Sequence, residues 1–282
     1  MYKFLIDGYK SAFGHLTEQT AKRFSWGEDW EVDHDALTVK LLGNTLTRRN
    51  EAMHKTLTVE RDNGTFKNLR GWTNEVFPVY GPGKELVMSI ERAGAPLFGI
   101  VTYGVQLLAY QENPEGIRIW IARRAKTKRT FPSMLDSTVG GGLPTGESPL
   151  DCLVRECREE ASFPEDIVRK HAVAVGTVNY VHISDERGGG ELGLLCPEVQ
   201  FAYEMKLPND IIPVPGDNEA ECITPMTIEA LKNALGNGEF TPANGCIVLD
   251  FFIRHGILTF ESEPDYIEIA ARLHRRHDFP TA

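Results

Sequence analysis

The plainest periodicity in this chain is in its middle. From Ile117 to Arg124 isoleucines recur at every second position, the spacing of a half-buried strand. Ahead of it, residues 99–110 form a longer run rich in β-branched side chains, and Asn113-Pro-Glu-Gly between the two runs is a hairpin-type turn. Residues 172–180 and 199–205 read as further strands. Helical spacing takes over at 149–161, where Ser148 supplies an N-cap, Pro149 suits the first helical position and Asp151 approximates a capping box. A second short helix is expected over 164–171 with Ser162 as its cap. Others follow at 228–235, ended by Gly236, at 248–255, and at 265–276, with apolar positions 267, 269, 270 and 273. Before residue 98 the signals are shorter and mixed. They give a strand at 39–42, a short helix at 51–54, and an aromatic-rich stretch over 71–80 that ends at Gly81-Pro-Gly. The first half-dozen residues are expected to fray. These patterns predict a mixed α/β protein in two parts: an α+β N-terminal domain over 1–98 and a larger domain over 99–282.

Composition narrows the classes. The chain has 282 residues and a formal net charge of −10, which argues against broad binding to nucleic acid or to anionic membranes. No apolar run approaches the roughly 20 residues that span a bilayer, and the first residues resemble neither a secretory signal nor a transit peptide. The five cysteines, at 152, 157, 196, 222 and 246, are odd in number and contain no CxxC pair. A zinc ribbon or disulfide framework is therefore not expected, and reduced thiols in a cytoplasmic protein are. A homodimer stays open.

The chemistry concentrates between Gly141 and Phe163. A glycine-rich loop leads into a helix carrying Arg155, Glu156, Glu159 and Glu160. Three carboxylates one turn apart share a helix face and repel one another unless a cation joins them, and hard ions such as Mg²⁺ or Mn²⁺ prefer oxygen ligands. A glutamate-rich helix alone is more often a solvated face. Here the spacing decides: Gly141, five residues, Glu147, seven residues, Arg155-Glu156, an apolar residue, any residue, Glu159-Glu160. Six fixed residues at set spacing arise by chance on the order of once per ten million start positions. The segment resembles the Nudix box, with Ser162 where that box usually has glycine.

The resemblance implies an α/β/α sandwich with a mixed sheet, and hydrolysis of a diphosphate linked to another moiety. It makes Glu156, Glu159 and Glu160 the metal ligands together with the backbone carbonyl of Gly141, and puts Glu156 or Glu159 nearest the attacking water. It pairs Arg155 with Glu147, fixing the loop on the helix, with Arg155 pointing away from the ligand face. Many members of the family add a glutamate from outside the box as base; Glu186, Glu191, Glu198 and Glu204 are the candidates.

Five basic residues fall within positions 123–129 of this acidic chain. Arg123, Arg124, Lys126 and Lys128 are therefore expected to draw in a polyphosphate. The flanking segments are similar to one Nudix branch, related to thiamine pyrophosphokinase, that carries its own N-terminal domain. These segments include residues 119–128, Phe131-Pro-Ser-Met-Leu-Asp, Gly176-Thr-Val-Asn-Tyr, Asp250-Phe-Phe-Ile-Arg-His-Gly, Gly71-Trp and Ile90-Glu-Arg-Ala. That branch implies removal of one phosphate from thiamine diphosphate or its oxidised analogues. Trp120, Tyr180, Phe131 and the aromatic stretch 72–80 are then expected to stack on the substrate rings. Three rival readings are a nucleotide-sugar or dinucleotide pyrophosphatase of the ADP-ribose type, an isoprenoid diphosphate isomerase, and a ligand-sensing module that has lost catalysis. Intact box carboxylates disfavour the last two, and the NADH-cleaving branch's zinc-ribbon cysteines are missing from this chain.

Overall fold

The computed structural model describes residues 1–282. The chain opens with β1 (Tyr2–Ile6), β2 (Ala12–Leu16), α1 (Glu18–Arg23), β3 (Trp30–Asp33) and β4 (Thr38–Leu41). These strands form a four-stranded sheet in the order β2-β1-β4-β3, in which β1 runs parallel to β4. The first six residues do not fray. β1 lies inside the sheet, and the alternate positions Tyr2, Phe4 and Ile6 are all buried. Two neighbours hold it, β2 just beyond the first turn and β4 more than thirty residues along the chain.

α2 (Leu46–Asp62), far longer than the four residues expected, packs on β6. It is followed by a short turn at 68–71, the antiparallel hairpin β5 (Val76–Tyr80) and β6 (Leu86–Glu91), and α3 (Ala95–Phe98). This β-rich part has its own core, centred on Phe4, Trp30, Met53, Leu57 and Phe98.

The second part is built around β7 (Thr102–Asn113), β8 (Gly116–Arg124), β9 (Leu135–Asp136), β10 (Val139–Gly142), α4 (Pro149–Ala161), α5 (Glu165–His171), β11 (Ala172–Ile183), β12 (Leu195–Lys206), β13 (Ala220–Thr227), α6 (Ile228–Gly236), α7 (Pro242–Arg254) and α8 (Tyr266–Leu273). Its mixed sheet runs β11-β12-β7-β8-β13. β12 is parallel to β7 along one side, and β10 and β8 share the other side of the long β7.

Helices cover both faces. Val105, Leu107 and Val199 pack with Leu153, Cys157 and Phe163 of the α4 side. Leu108, Ile119 and Ile121 pack with Phe251 and Phe252 of α7 on the other. Successive strand residues point to opposite faces, so the isoleucines that mark β8 in the sequence face α7 and leave Trp120 on the α4 side.

The helix at 149–161 begins and ends as its sequence predicts. Ser162, however, is not the cap of the next helix. It takes the left-handed conformation (φ 53°) that closes α4, and Pro164 sits at the start of α5. No helix is long and apolar enough to cross a membrane, and all five cysteines are free thiols.

The two parts interlock through the loop between β11 and β12. Leu194 of that loop is buried in the N-terminal core. The two carboxylate oxygens of Glu191 accept the backbone N–H groups of Lys67 (2.8 Å) and Asn68 (2.9 Å), and the Glu191 N–H returns to Asn68 Oδ1 at 2.7 Å.

Candidate active site

The sheet presents β10 beneath α4, and the glycines of β10 let the two approach. A Cβ on Gly141 would stand 2.2 Å from Glu156 Oε1, so the side chain of Glu156 rests where only glycine leaves room. One turn further, Glu160 Oε2 accepts the Gly140 N–H at 3.0 Å. Burial pushes Glu156 up to about 6, against the pull of Arg155. The like charges of Glu159 and of Glu75, reaching in from the N-terminal part, add to the rise. Glu160 is pushed well above the usual carboxylate range, again chiefly by burial and only partly offset by the Gly140 N–H.

Arg155 holds more than the sequence assigns to it. It pairs with Glu147 as expected, Nε to Oε1 at 3.0 Å and Nη2 to Oε2 at 2.8 Å. It does not point away from the ligand face: Nη1 lies 2.8 Å from Glu156 Oε1 and 3.4 Å from Glu159 Oε2. No three His, Cys, Asp or Glu side chains gather closely enough to close a metal shell; the Arg155 guanidinium is the counter-charge of Glu156 and Glu159, and Glu160 turns to the Gly140 N–H. The donor set still suits a hard cation. Every available ligand is an oxygen, and two of the carboxylates bear a desolvation cost that a divalent ion would offset. The Gly141 carbonyl oxygen lies towards β7, 2.9 Å from where a Cβ on Gly104 would stand.

These groups open onto a cleft of about 900 Å³ that both parts of the chain enclose. Asn68, Gly71, Thr73, Glu75 and Arg92 come from the N-terminal part. Lys128, Arg129 and Phe131 come from the basic loop, and His182, Glu191 and Glu198 from β11, β12 and the loop between them.

The basic loop divides unevenly. Lys128 and Arg124 line the cleft, but the Arg124 nitrogens are engaged by the loop itself: Nε and Nη2 by the Thr130 carbonyl, Nε also by the Phe131 carbonyl, and Nη1 by Asp136 at 2.6 Å. Lys128 is paired with Glu219. Arg123 donates to the Ser133 carbonyl at 2.8 Å and, like the exposed Lys126, lies off the cleft. Much of this loop is therefore self-supporting, with Phe131 and Ser133 at positive φ where it turns back.

The aromatic residues fare similarly. Trp120 is buried in the core on the α4 side and lines none of the cleft, a consequence of the β8 alternation. Trp72 stacks under Arg61, and Val79 and Tyr80 pack inward. Phe77 touches Gly142 at the rim of a smaller recess, shared with Phe131, Tyr180 and Glu198. Only four of the 31 residues lining the main cleft are hydrophobic, so ring stacking there falls mainly to Phe131.

Of the four candidate bases, Glu186 is exposed and off the cleft. Glu204 is engaged by Arg254 and His255 on the α7 side. Glu191 lines the cleft but is committed to the backbone of residues 67 and 68. Glu198 faces the cleft with one oxygen fixed, Oε2 accepting from Tyr180 (2.5 Å) and Gln200 (2.8 Å), while Oε1 lies 3.5 Å from His182 Nδ1. Glu75, Arg92 and Arg129 also line the cleft; in the sequence Glu75 and Arg92 stand only within the segments similar to the thiamine-related branch and Arg129 only within the basic run 123–129, none of them with a site role of its own. Their place in the cleft is three-dimensional, since it follows from the N-terminal part lying against the second.

Comparison with known proteins agrees with this architecture. The NUDIX domain model matches residues 102–243, and a domain of unknown function (DUF4743) matches residues 1–102. An uncharacterized protein of Saccharomyces cerevisiae is 32% identical over 99% of this chain and 80% of its own length. The chloroplastic Nudix hydrolase 20 of Arabidopsis thaliana is 33% identical over 85% of this chain, which spans 62% of that relative's length. Among solved structures, DR0079 of Deinococcus radiodurans is similar at 22% identity and a TM-score of 0.42, covering 71% of this chain and all of its own. The chain belongs to the Nudix family and is a Nudix hydrolase. Hydrolases of this family generally use divalent metal ions such as Mg²⁺ and act on small-molecule diphosphates.

Proposed function

We propose that this chain hydrolyses thiamine diphosphate or its oxidised analogues to the monophosphate and inorganic phosphate, with Mg²⁺ or Mn²⁺ held by Glu156, Glu159 and Glu160. The observation that carries the hydrolytic part is the pair of largely desolvated carboxylates, Glu156 and Glu160, on a helix facing a two-walled cleft. The choice of thiamine compound rests on the flanking segments shared with the thiamine-related branch and on the N-terminal domain proposed for residues 1–98.

A bound divalent ion supplies charge neutralisation on phosphate oxygens and a water of lowered pKa. The residues do the rest. Glu147 and Arg155 hold the glycine-rich loop on α4, keeping Gly141 against Glu156. Glu198, fixed by Tyr180 and Gln200, takes the proton of the water as its oxygen bonds to the phosphorus and the bridging P–O bond breaks. Phe131 offers a ring face at the cleft's edge.

The test is a panel of diphosphates read out by phosphate release. Thiamine diphosphate and its oxo analogue are expected to give phosphate and the monophosphate with Mg²⁺ or Mn²⁺. Glu160→Gln is expected to lower turnover by roughly two or more orders of magnitude, as loss of a metal ligand should. ADP-ribose cleaved to AMP, with no phosphate from any thiamine compound, would transfer the chain to the nucleoside-diphosphate reading.

A further inference from the structure

The cleft carries more carboxylates than cations, so where an anion settles depends on which cations have donors free. Arg155 is shared among three glutamates, Arg124 is bound by its own loop, and Lys128 is paired with Glu219. Two arginines are left. Arg92 makes one ion pair, to Glu75 Oε2 at 3.0 Å, and its backbone N–H is tied to the Glu75 carbonyl at 2.9 Å. Arg129 makes one long hydrogen bond, to the Asn68 carbonyl at 3.4 Å.

Both are held in place. The Arg129 guanidinium fills the space over Gly71, where a Cβ would stand 1.9 Å from Nη2, and its own carbonyl lies 2.6 Å from where Gly189 would carry one. A guanidinium has five donors in a rigid plane, so most donors on each of these two groups are free in the cleft.

We propose that Arg92 and Arg129 form an anion subsite assembled from the two parts of the chain, which grips a phosphoryl group of the substrate. Planar guanidinium forks match phosphate oxygens in pairs. Glu75 orients one fork and Gly71 admits the other, so the N-terminal part contributes directly to substrate binding. The subsite reads phosphate and is indifferent to the rings. It rests on the diphosphate-hydrolase reading and not on the choice of thiamine compound.

The test measures affinity for inorganic pyrophosphate with Mg²⁺, by calorimetry on the full chain, beside KM and kcat for whichever diphosphate the wild type turns over. Arg92→Gln and Arg129→Gln are each expected to weaken pyrophosphate binding and raise KM about tenfold or more, with a smaller change in kcat. Lysine at either position should restore part of the loss. Gly71→Ala should reproduce Arg129→Gln by displacing the guanidinium, and where it fails to fold Arg129→Gln decides alone. Wild-type affinity in both glutamine variants overturns the subsite. So does full recovery in Glu75→Gln/Arg92→Gln, which would trace the loss to the bared Glu75 charge. A wild type that ignores every thiamine compound, with pyrophosphate affinity still lost in the variants, removes the substrate reading and keeps the subsite.

Discussion

Arg155 grips Glu147 through two parallel hydrogen bonds, 3.0 and 2.8 Å, and turns its remaining nitrogen onto Glu156. One side chain thus fixes the glycine-rich loop on α4 and steadies a carboxylate of the site. Lysine cannot reproduce the fork. Arg155→Lys and Glu147→Gln are each expected to lower kcat/KM roughly tenfold to a hundredfold, as loss of a charge-assisted bidentate pair should. In the double variant the losses should not add, because both remove the same contact. Full additivity in a double-mutant cycle would show that the two residues act separately.

Burial raises Glu156 from an ordinary 4.5 to about 6. Between those values the folded protein holds more protons than the unfolded chain, so metal-free stability falls as pH rises through this window, by about 2 kcal/mol from this group. Ligation needs the ionised form, so added Mg²⁺ should raise the melting temperature more at pH 7.5 than at pH 5. Glu156→Gln should flatten both dependences. Thermal melts at the two pH values, with and without Mg²⁺, check this; an unchanged pH response in the variant would remove Glu156 as the group responsible.

Glu191 and Glu198 both face the cleft, yet their surroundings assign them different work. Glu191→Ala leaves the amides of Lys67 and Asn68 without acceptors and is expected to cost about 1–3 kcal/mol of stability, with kcat held within a few-fold. Glu198→Gln keeps an acceptor for the Tyr180 hydroxyl. It should barely move the melting temperature while lowering kcat about 10²–10⁴-fold, the range for a lost general base. Chemical denaturation beside steady-state kinetics separates the two, and an exchange of phenotypes would reverse the assignment.

Ser162 stands in a left-handed conformation that costs a side-chain-bearing residue roughly 1–2 kcal/mol and that glycine adopts freely. Ser162→Gly is therefore expected to stabilise the chain by about 1 kcal/mol, offset in part by the looser unfolded state, with kcat unaltered. A lower melting temperature would mean that the serine makes a contact worth more than the strain.

Local patterns carried the site's centre and missed its walls. The box was legible because a loop and a single helix hold all its charges, and α4 starts where Ser148 and Pro149 direct; Ser162, expected to open the next helix, closes this one instead. The β7–β8 hairpin was legible for the same reason. β1 was not, because what buries Tyr2, Phe4 and Ile6 is a core assembled from residues as far along the chain as Phe98. The loop at 123–129 looked like free positive charge, but charge alone does not reveal that Arg124 folds back on Thr130, Phe131 and Asp136. Trp120 looked available for stacking until the alternation of β8 sent it inward. Arg92, Glu75 and Gly71 matter only once the N-terminal part is laid against the second, a relationship between segments that no window along the chain contains.

Leu194 inside the N-terminal core, with the two amides that Glu191 satisfies, makes the two parts costly to separate. Cutting the chain between its two parts would bare an apolar side chain, strand two backbone donors and strip one wall from the cleft in a single stroke. Neither part of this chain is therefore expected to stand as a finished enzyme without the other.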